Sequence, residues 1–308
     1  MNNYDVIIIG GGPAGLTAAI YATRRELKTL VLSVNLGGQA AMASDIENYP
    51  GSDLKSGVEL MKKFAEQAKK FGAKIVFDEA TSIKKIDGGF EITAKRDKYQ
   101  TKTIIIASGK KPRLLNAKGE GKFHGKGIVY CATCDAPLFR DKIVAVVGGG
   151  NSAFDAAALL TKIAKKVYLI HRREEFRAEE SDVEKLKKEK NFELILNVEI
   201  KEVKGGNFVK SVIVENNKDG SKKEIKLAGL FVEIGYDVDP KLFKELVETD
   251  EVNQIKIDSC GRTSEAGIFA AGDVTDVPFK QIVISAGAGA KAALCAYDYI
   301  HNNIKTIL

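Results

Sequence analysis

Apolar residues along this chain fall in short β-branched runs that alternate with Ala-rich stretches, and the alternation predicts strands feeding helices. Tyr4-Asp-Val-Ile-Ile-Ile-Gly10 is too short for a helix and reads as a buried parallel strand. After Gly10 to Gly12, the Ala-rich stretch from Ala14 to Thr23 predicts a helix, and Thr29 to Leu32 returns as a strand. The same order recurs downstream. Lys142 to Val147 predicts a strand, Gly148 to Gly150 a turn, Ala153 to about Lys162 a helix, and Lys166 to Ile170 a strand. The two copies lie too far apart for a solenoid repeat and read as two domains of one type. In each, strand, helix and parallel strand predict a right-handed crossover in a doubly wound sheet. Phe192 to Val232 is strand-rich, with a hairpin around Asn217-Lys-Asp-Gly220, and reads as a β-meander covering a dinucleotide domain. Turn-rich charged segments near Lys95 to Lys98, Gly119 to Gly127 and Asn216 to Lys223 read as surface loops or hairpin ends.

A length of 308 residues supports this division, since roughly 150 residues make one domain. A net charge of +6 is too mild to argue for nucleic acid as a partner. The most apolar stretch, Val6 to Ala22, is broken by Gly10, Gly11, Gly12, Pro13 and Gly15 and lacks a basic start, so neither a membrane span nor a signal peptide is expected. The expected location is therefore cytoplasmic. Four cysteines exclude a disulfide-built secreted scaffold.

Two glycine turns carry the first chemistry. Gly10-x-Gly12-x-x-Gly15 follows a strand and opens a helix, the context in which such a turn admits a pyrophosphate to free helix N–H groups. Gly148-x-Gly150-x-x-Ala153 repeats it. The strand after the second turn ends in His171-Arg172-Arg173, with Arg177 nearby. An NAD site places a carboxylate there, whereas arginines suit the 2′-phosphate of NADPH. A solvated charged helix is the competing reading, because Lys and Glu follow thickly to Lys190. The strand after the first turn ends in Ser33-Val34-Asn35 without a carboxylate, which disfavours NAD; a different dinucleotide such as FAD would need other ribose contacts.

Cys131-Ala-Thr-Cys134 lies between the two fingerprints. Zinc needs further ligands, and neither Cys260, Cys295 nor the three histidines show a pairing spacing, so no metal site is expected. A structural disulfide gains little from so short a loop. A redox-cycling dithiol is the reading that remains, with Asp135 as an acid/base beside it and Pro137 limiting the backbone. Cys260 and Cys295 read as ordinary semi-buried cysteines. Two dinucleotide sites and a dithiol suggest a path from NADPH to a flavin to a disulfide.

These residues resemble the low-molecular-weight thioredoxin reductases over essentially the whole chain. The motifs are residues 10–15 (Gly-Gly-Gly-Pro-Ala-Gly), Gly37-Gly38-Gln39, residues 47–51 (Glu-Asn-Tyr-Pro-Gly), residues 131–135, residues 148–153, residues 171–178, Ala271-Gly-Asp-Val274, and Lys280-Gln281 leading into Ser285 to Gly287. The resemblance implies an α/β fold of two Rossmann-like dinucleotide-binding domains, the NADPH domain (112–240) being inserted into a discontinuous FAD domain (1–111 and 241–308). It implies FAD contacts at Gly10, Gly12, Pro13, Ala14, Gly15, Ser33, Gly38, Gln39, Asn48, Ala107, Gly109, Gly272, Asp273, Lys280, Gln281 and Ile282. NADPH contacts would be Gly148, Gly150, Asn151, Ser152, Ala153, His171, Arg172, Arg173 and Arg177. Cys134 would take electrons at the flavin, Cys131 would attack the partner's disulfide, and Asp135 would manage the proton. Lys280 stands where arginine is commoner in that family.

The resemblance further implies NADPH-dependent reduction of a thioredoxin or a thioredoxin-like or glutaredoxin-like protein, by a homodimer whose NADPH domain rotates during turnover. Three other readings compete with it. A peroxiredoxin-linked reductase ordinarily carries an extra N-terminal thiol module and prefers NADH, which fits poorly with the arginines. A related flavoprotein using another reductant often lacks the arginine motif, which is intact here, and a redox sensor without turnover fits poorly with the intact Cys-x-x-Cys.

Overall fold

The computed structural model describes residues 2–43, 46–53 and 56–301. The chain folds as two compact units, residues 1–111 with 237–308 and residues 112–236. Unit 1 opens with β1 (Asn2–Ile9), α1 (Pro13–Arg24) and β2 (Thr29–Ser33), followed by α2 (Gly57–Lys70) and β3 (Lys74–Phe77). An antiparallel meander follows, β4 (Ala80–Ile86), β5 (Gly89–Ala94) and β6 (Lys98–Ile106). The two-residue strand β7 (Lys111–Pro112) leads out of the unit.

Unit 2 contains β8 (Ile128–Val129), α3 (Glu120–Phe123, a single turn before it), α4 (Ala132–Asp135), β9 (Ile143–Val147), α5 (Asn151–Thr161) and β10 (Lys166–His171). It continues through α6 (Glu180–Lys187), β11 (Phe192–Leu196), β12 (Val198–Gly205), β13 (Val209–Asn216), β14 (Lys222–Lys226) and β15 (Gly229–Val232). The chain leaves by β16 (Tyr236–Asp237), and unit 1 closes with β17 (Ile268–Ala270) and α7 (Ile282–Ile300).

The sheet of unit 1 runs β3-β2-β1-β6-β5-β4, and β17 also pairs with β6. The nine-residue β6 makes both junctions. Its first half pairs antiparallel with β5, and residues 104–106 pair parallel with β17. Continuous runs such as Ile7-Ile8-Ile9 and Ile104-Ile105-Ile106 are buried on both faces, as parallel central strands require. One face packs on α1 and α7 through small side chains, including Ala14, Ala18, Ala22, Ala292 and Ala296. The other packs under Val238, Phe243, Val247 and Ile255. Val238 explains why residues 237–240 cluster with unit 1, four residues before the boundary expected from sequence.

The parallel sheet of unit 2 runs β11-β10-β9-β15-β8, and a separate antiparallel sheet runs β12-β13-β14. The stretch 192–232 is thus only partly a meander. Phe192–Leu196 follows α6 as a parallel crossover strand on β10, and Gly229–Val232 inserts beside β9. The hairpin at 217–220 joins β13 to β14 as expected.

Candidate functional site

In unit 1 the first glycine turn is locked by backbone sterics and hydrogen bonds. Gly10 has φ +121°, and a Cβ there would lie 2.1 Å from the Ala107 carbonyl oxygen at the end of β6. The Gly11 N–H donates to Ser33 Oγ (2.9 Å), and that hydroxyl donates to the Asn35 carbonyl (2.7 Å). Asn35 Oδ1 in turn accepts from the Gly38 N–H (3.2 Å). The strand end that lacks a carboxylate therefore holds the turn instead, and Gly37 N donates to Gly11 O at 2.7 Å. Helix α1 starts at Gly12-Pro13 with no side-chain cap and no acidic residue in its first turn. Its partial positive charge is left for an anion.

The C-terminal candidates fold back onto this turn. A Cβ at Gly272 would lie 2.9 Å from Ala14 Cβ and 3.4 Å from Ser285 Oγ. Ser285 Oγ donates to Asp273 Oδ1 (3.1 Å), which orients that carboxylate. Asn48 Nδ2 donates to Gln281 Oε1 (3.1 Å), and Lys280 Nζ donates to the Thr275 carbonyl (2.5 Å). Burial pushes the Lys280 ammonium below its ordinary value, against the attraction of Asp273 and Asp276. Helix α7 begins at Ile282 with Gln281 as its N-cap, again without a side-chain cap or an acidic first turn. Gln39 Nε2 donates to the Lys110 carbonyl, so this side chain ties its loop to the end of the Ala107–Gly109 segment. Gly10, Ala14, Ser33, Ala107, Asp273 and Ser285 are thus brought to one region from four distant stretches of chain. Uncapped helix ends and a hydrogen-bonded carboxylate fit a dinucleotide with a pyrophosphate and hydroxyl groups, as FAD has.

In unit 2 the second turn repeats the design. Gly148 has φ +157°, and a Cβ there would lie 2.3 Å from the Glu233 carbonyl oxygen. Gly150 is the N-cap of α5, which has no side-chain cap and no acid in its first turn. The segment after β10 is not the charged helix that competed in the sequence. Residues 172–179 lie outside any helix, and α6 starts only at Glu180. This segment is tied to the glycine turn. Arg177 N donates to the Gly149 carbonyl (2.8 Å), Glu179 N donates to Asn151 Oδ1 (3.2 Å), and Phe176 packs edge-on against Phe154 at 4.9 Å. The His171 ring lies where a Gly149 side chain would be, and its Nε2 donates to the Glu175 carbonyl (3.0 Å). Burial, with Arg172 and Arg173 nearby, pushes the imidazole below its ordinary value. Arg172, Arg173 and Arg177 are exposed, and among the described residues none of their guanidiniums is held in an ion pair. Three such cations beside an uncapped helix fit an anionic group such as a 2′-phosphate.

Cys131 and Cys134 are joined as a disulfide with their Cα atoms 5.3 Å apart. Both are partly exposed, whereas Asp135 is buried. The Cys134 N–H donates to Cys131 Sγ (3.2 Å), a contact that favours negative charge on that sulfur. Three supports escaped the sequence reading. Glu120 is buried and accepts from Leu115 N, Asn116 N and the Tyr130 hydroxyl, each at 2.9 Å. The Tyr236 hydroxyl donates to the Tyr130 carbonyl, so the residue before Cys131 is held at both ends. Glu233 Oε1 accepts from Ala132 N (3.4 Å), which links the dithiol turn to the strand beside Gly148.

Cys260 and Cys295 depart from expectation. They are not separate packing residues but a second disulfide, since both are buried and α7 brings Cys295 onto the turn that carries Cys260.

The family model for pyridine nucleotide-disulphide oxidoreductases matches residues 4–293. The chain is 39% identical to the thioredoxin reductase of Peptoclostridium litorale, covering 97% of this chain and 98% of that protein. It is 38% identical to an alkyl hydroperoxide reductase component of Staphylococcus epidermidis, covering 97% of this chain and 60% of that longer protein. The crystal structure of thioredoxin reductase from Streptococcus pyogenes MGAS5005 superposes with a TM-score of 0.92 at 37% identity, covering 97% of this chain and 99% of that one.

Proposed function

This chain belongs to the pyridine nucleotide-disulphide oxidoreductase family, and we propose from that premise how its residues work as a thioredoxin reductase using FAD and NADPH. Unit 1 is assigned to FAD and unit 2 to NADPH. The observation that carries the reading is the pairing, within one unit, of a partly exposed Cys-x-x-Cys disulfide with a glycine turn flanked by arginines that form no ion pair among the described residues. Bound FAD would supply two-electron transfer between the nicotinamide and the disulfide.

The remaining work falls to the chain. Arg172, Arg173 and Arg177 hold the 2′-phosphate and set the preference for NADPH, while the N–H groups of α5 hold the pyrophosphate. In unit 1 the N–H groups of α1 would hold the pyrophosphate of FAD, Asp273 would hold ribityl hydroxyls, and Lys280, Gln281 and Ile282 would contact the flavin ring. Two electrons and two protons convert the Cys131–Cys134 bond to a dithiol, with Asp135 handling a proton. Cys131, whose sulfur receives the Cys134 N–H, loses its proton and attacks one sulfur of the partner's disulfide. The partner's other sulfur leaves as a thiolate and is protonated. Cys134 then attacks the mixed disulfide, restoring the Cys131–Cys134 bond and releasing a reduced partner. The acceptor is a thioredoxin-like or glutaredoxin-like protein and the working form is a homodimer. Among the described residues no helix is long and apolar enough to cross a membrane, and the cytoplasm is the proposed location.

Turnover of oxidised thioredoxin by wild type and Cys134→Ser tests this reading. Beyond the stoichiometric reduction of flavin and disulfide, wild type should oxidise NADPH continuously only when the disulfide substrate is added. Cys134→Ser should still be bleached by NADPH in the absence of air yet reduce no thioredoxin. Thioredoxin reduction by that variant would refute the assignment, and a peroxiredoxin-linked role would show as flavin bleaching without thioredoxin turnover in wild type.

A further inference from the structure

The mechanism uses one disulfide and the structure holds two. We infer that Cys260–Cys295 is a structural disulfide that covalently closes the stretch of chain carrying the C-terminal half of the flavin site. This role rests on the assignment of FAD to unit 1. The two cysteines are 35 residues apart and bracket Gly272, Asp273, Lys280, Gln281 and Ile282. Both ends of the bridge are built. Cys260 sits in a turn in which Asp258 Oδ1 accepts from Cys260 N and Arg262 N, each at 2.8 Å, and Ala270 N donates to the Gly261 carbonyl (2.8 Å), which ties the turn to β17. Cys295 lies well inside α7. Their Cα atoms are 6.0 Å apart, within the span a disulfide bridges.

The setting separates this pair from the catalytic one. Each cysteine is 4% exposed and lies in a core of Ala18, Ala22, Phe269, Ala292 and Ala296. Thiol–disulfide exchange needs a thiolate to reach a sulfur, and burial among alkyl groups both blocks that approach and disfavours a thiolate. Cys131 and Cys134 have the opposite setting, with partial exposure and an N–H on sulfur. Closing the second bond removes one hydrogen from each thiol, two electrons and two protons in all. A low-molecular-weight disulfide accepts them in two exchange steps before the core closes and leaves as two small thiols. The closed loop lowers the entropy of the unfolded chain, and in the native state it holds β17 and α7, which flank the flavin segment, in fixed register.

Thiol counting with peptide mapping tests the bond independently of the flavin. The holoenzyme is purified in air, acid-quenched, unfolded and alkylated, then digested without reductant. No free thiol and a cross-linked peptide pair containing Cys260 and Cys295 are expected. Anaerobic treatment with excess NADPH should free two thiols, at Cys131 and Cys134, and leave that cross-link intact. Alkylation of Cys260 and Cys295 in the untreated protein, or loss of the link with NADPH, would overturn the inference. The role is read from C260A/C295A. Its thermal midpoint should fall by roughly 6 to 10 °C without reductant, and flavin should be released at lower urea than in wild type. Wild-type stability and flavin retention in that variant would overturn the structural role. A wild-type protein purified without FAD, with the cross-link present, would instead refute the assignment of FAD to unit 1.

Discussion

Replacing Arg172 and Arg173 with alanine should convert an NADPH enzyme into one that no longer distinguishes its two nicotinamide cofactors. Both guanidiniums are exposed and outside any ion pair among the described residues, so their removal breaks no ion pair there. The segment itself stays anchored by backbone groups, through Arg177 N on Gly149 O and Asn217 Nδ2 on the Arg172 carbonyl (3.0 Å). A hydrogen bond to a charged group contributes about 1.5 to 3 kcal/mol and an exposed ion pair about 0.2 to 1 kcal/mol, so an intermediate value of about 1 to 2 kcal/mol is expected per arginine on a doubly charged phosphate. Each loss corresponds to about 5- to 30-fold in affinity. The two arginines share one phosphate, so the losses couple, and about 30- to 300-fold is expected for the pair. Stopped-flow flavin bleaching against cofactor concentration reads this directly. The apparent Kd for NADPH should rise by that factor, while the value for NADH and the thermal midpoint stay unchanged. Equal weakening of NADPH and NADH, or no change for NADPH, would refute a 2′-phosphate role.

Three other outcomes follow from the same structure. Tyr130→Phe removes one donor from buried Glu120 and should lower the urea stability of the protein by about 1.5 to 3 kcal/mol, whereas Glu120→Ala strands three donors and should cost more. The reverse order would contradict the clamp. Burial holds His124 and His171 below their ordinary value near 6.5. The unfolded chain therefore takes up protons before the folded one does, so stability should be full above about pH 7 and fall as pH drops through 6.5. His124→Gln should flatten that fall, and an unchanged pH profile of the thermal midpoint would contradict the sign. Ser33→Ala leaves the Gly11 N–H without its acceptor, so FAD should dissociate more readily, measured as flavin fluorescence on dilution. Unaltered retention would count against a role for Ser33 at the turn.

Much of this was legible in the chain because local rules suffice for it. A β-branched run before a glycine turn needs only its neighbours to specify strand, turn and helix, and both fingerprints form as read. The arginine cluster could equally have begun a charged helix, and only the tertiary tie of Arg177 N to Gly149 O sets its backbone conformation. Pairings that depend on tertiary packing were not legible. Glu233 meets Ala132, and Tyr236 meets Tyr130, across about a hundred residues with no motif to announce it. Cys260 and Cys295 looked unrelated for the same reason, since only the return of α7 onto α1 and β17 brings them together. The strand-rich stretch 192–232 misled because strand propensity does not say which sheet a strand joins. Phe192–Leu196 follows a helix and so enters the parallel sheet, while the strands joined by short turns form the meander.

On the proposed path, electrons from NADPH stop at one particular disulfide before leaving the protein. An anaerobic titration of the FAD-loaded enzyme with NADPH tests it most directly, followed at the flavin band and by thiol release. The account predicts two equivalents per flavin in wild type, one for the flavin and one for Cys131–Cys134, and a single equivalent in C131S/C134S. One equivalent in wild type would remove the dithiol from the path, and three would place Cys260–Cys295 on it, contradicting the division between a working and a structural disulfide.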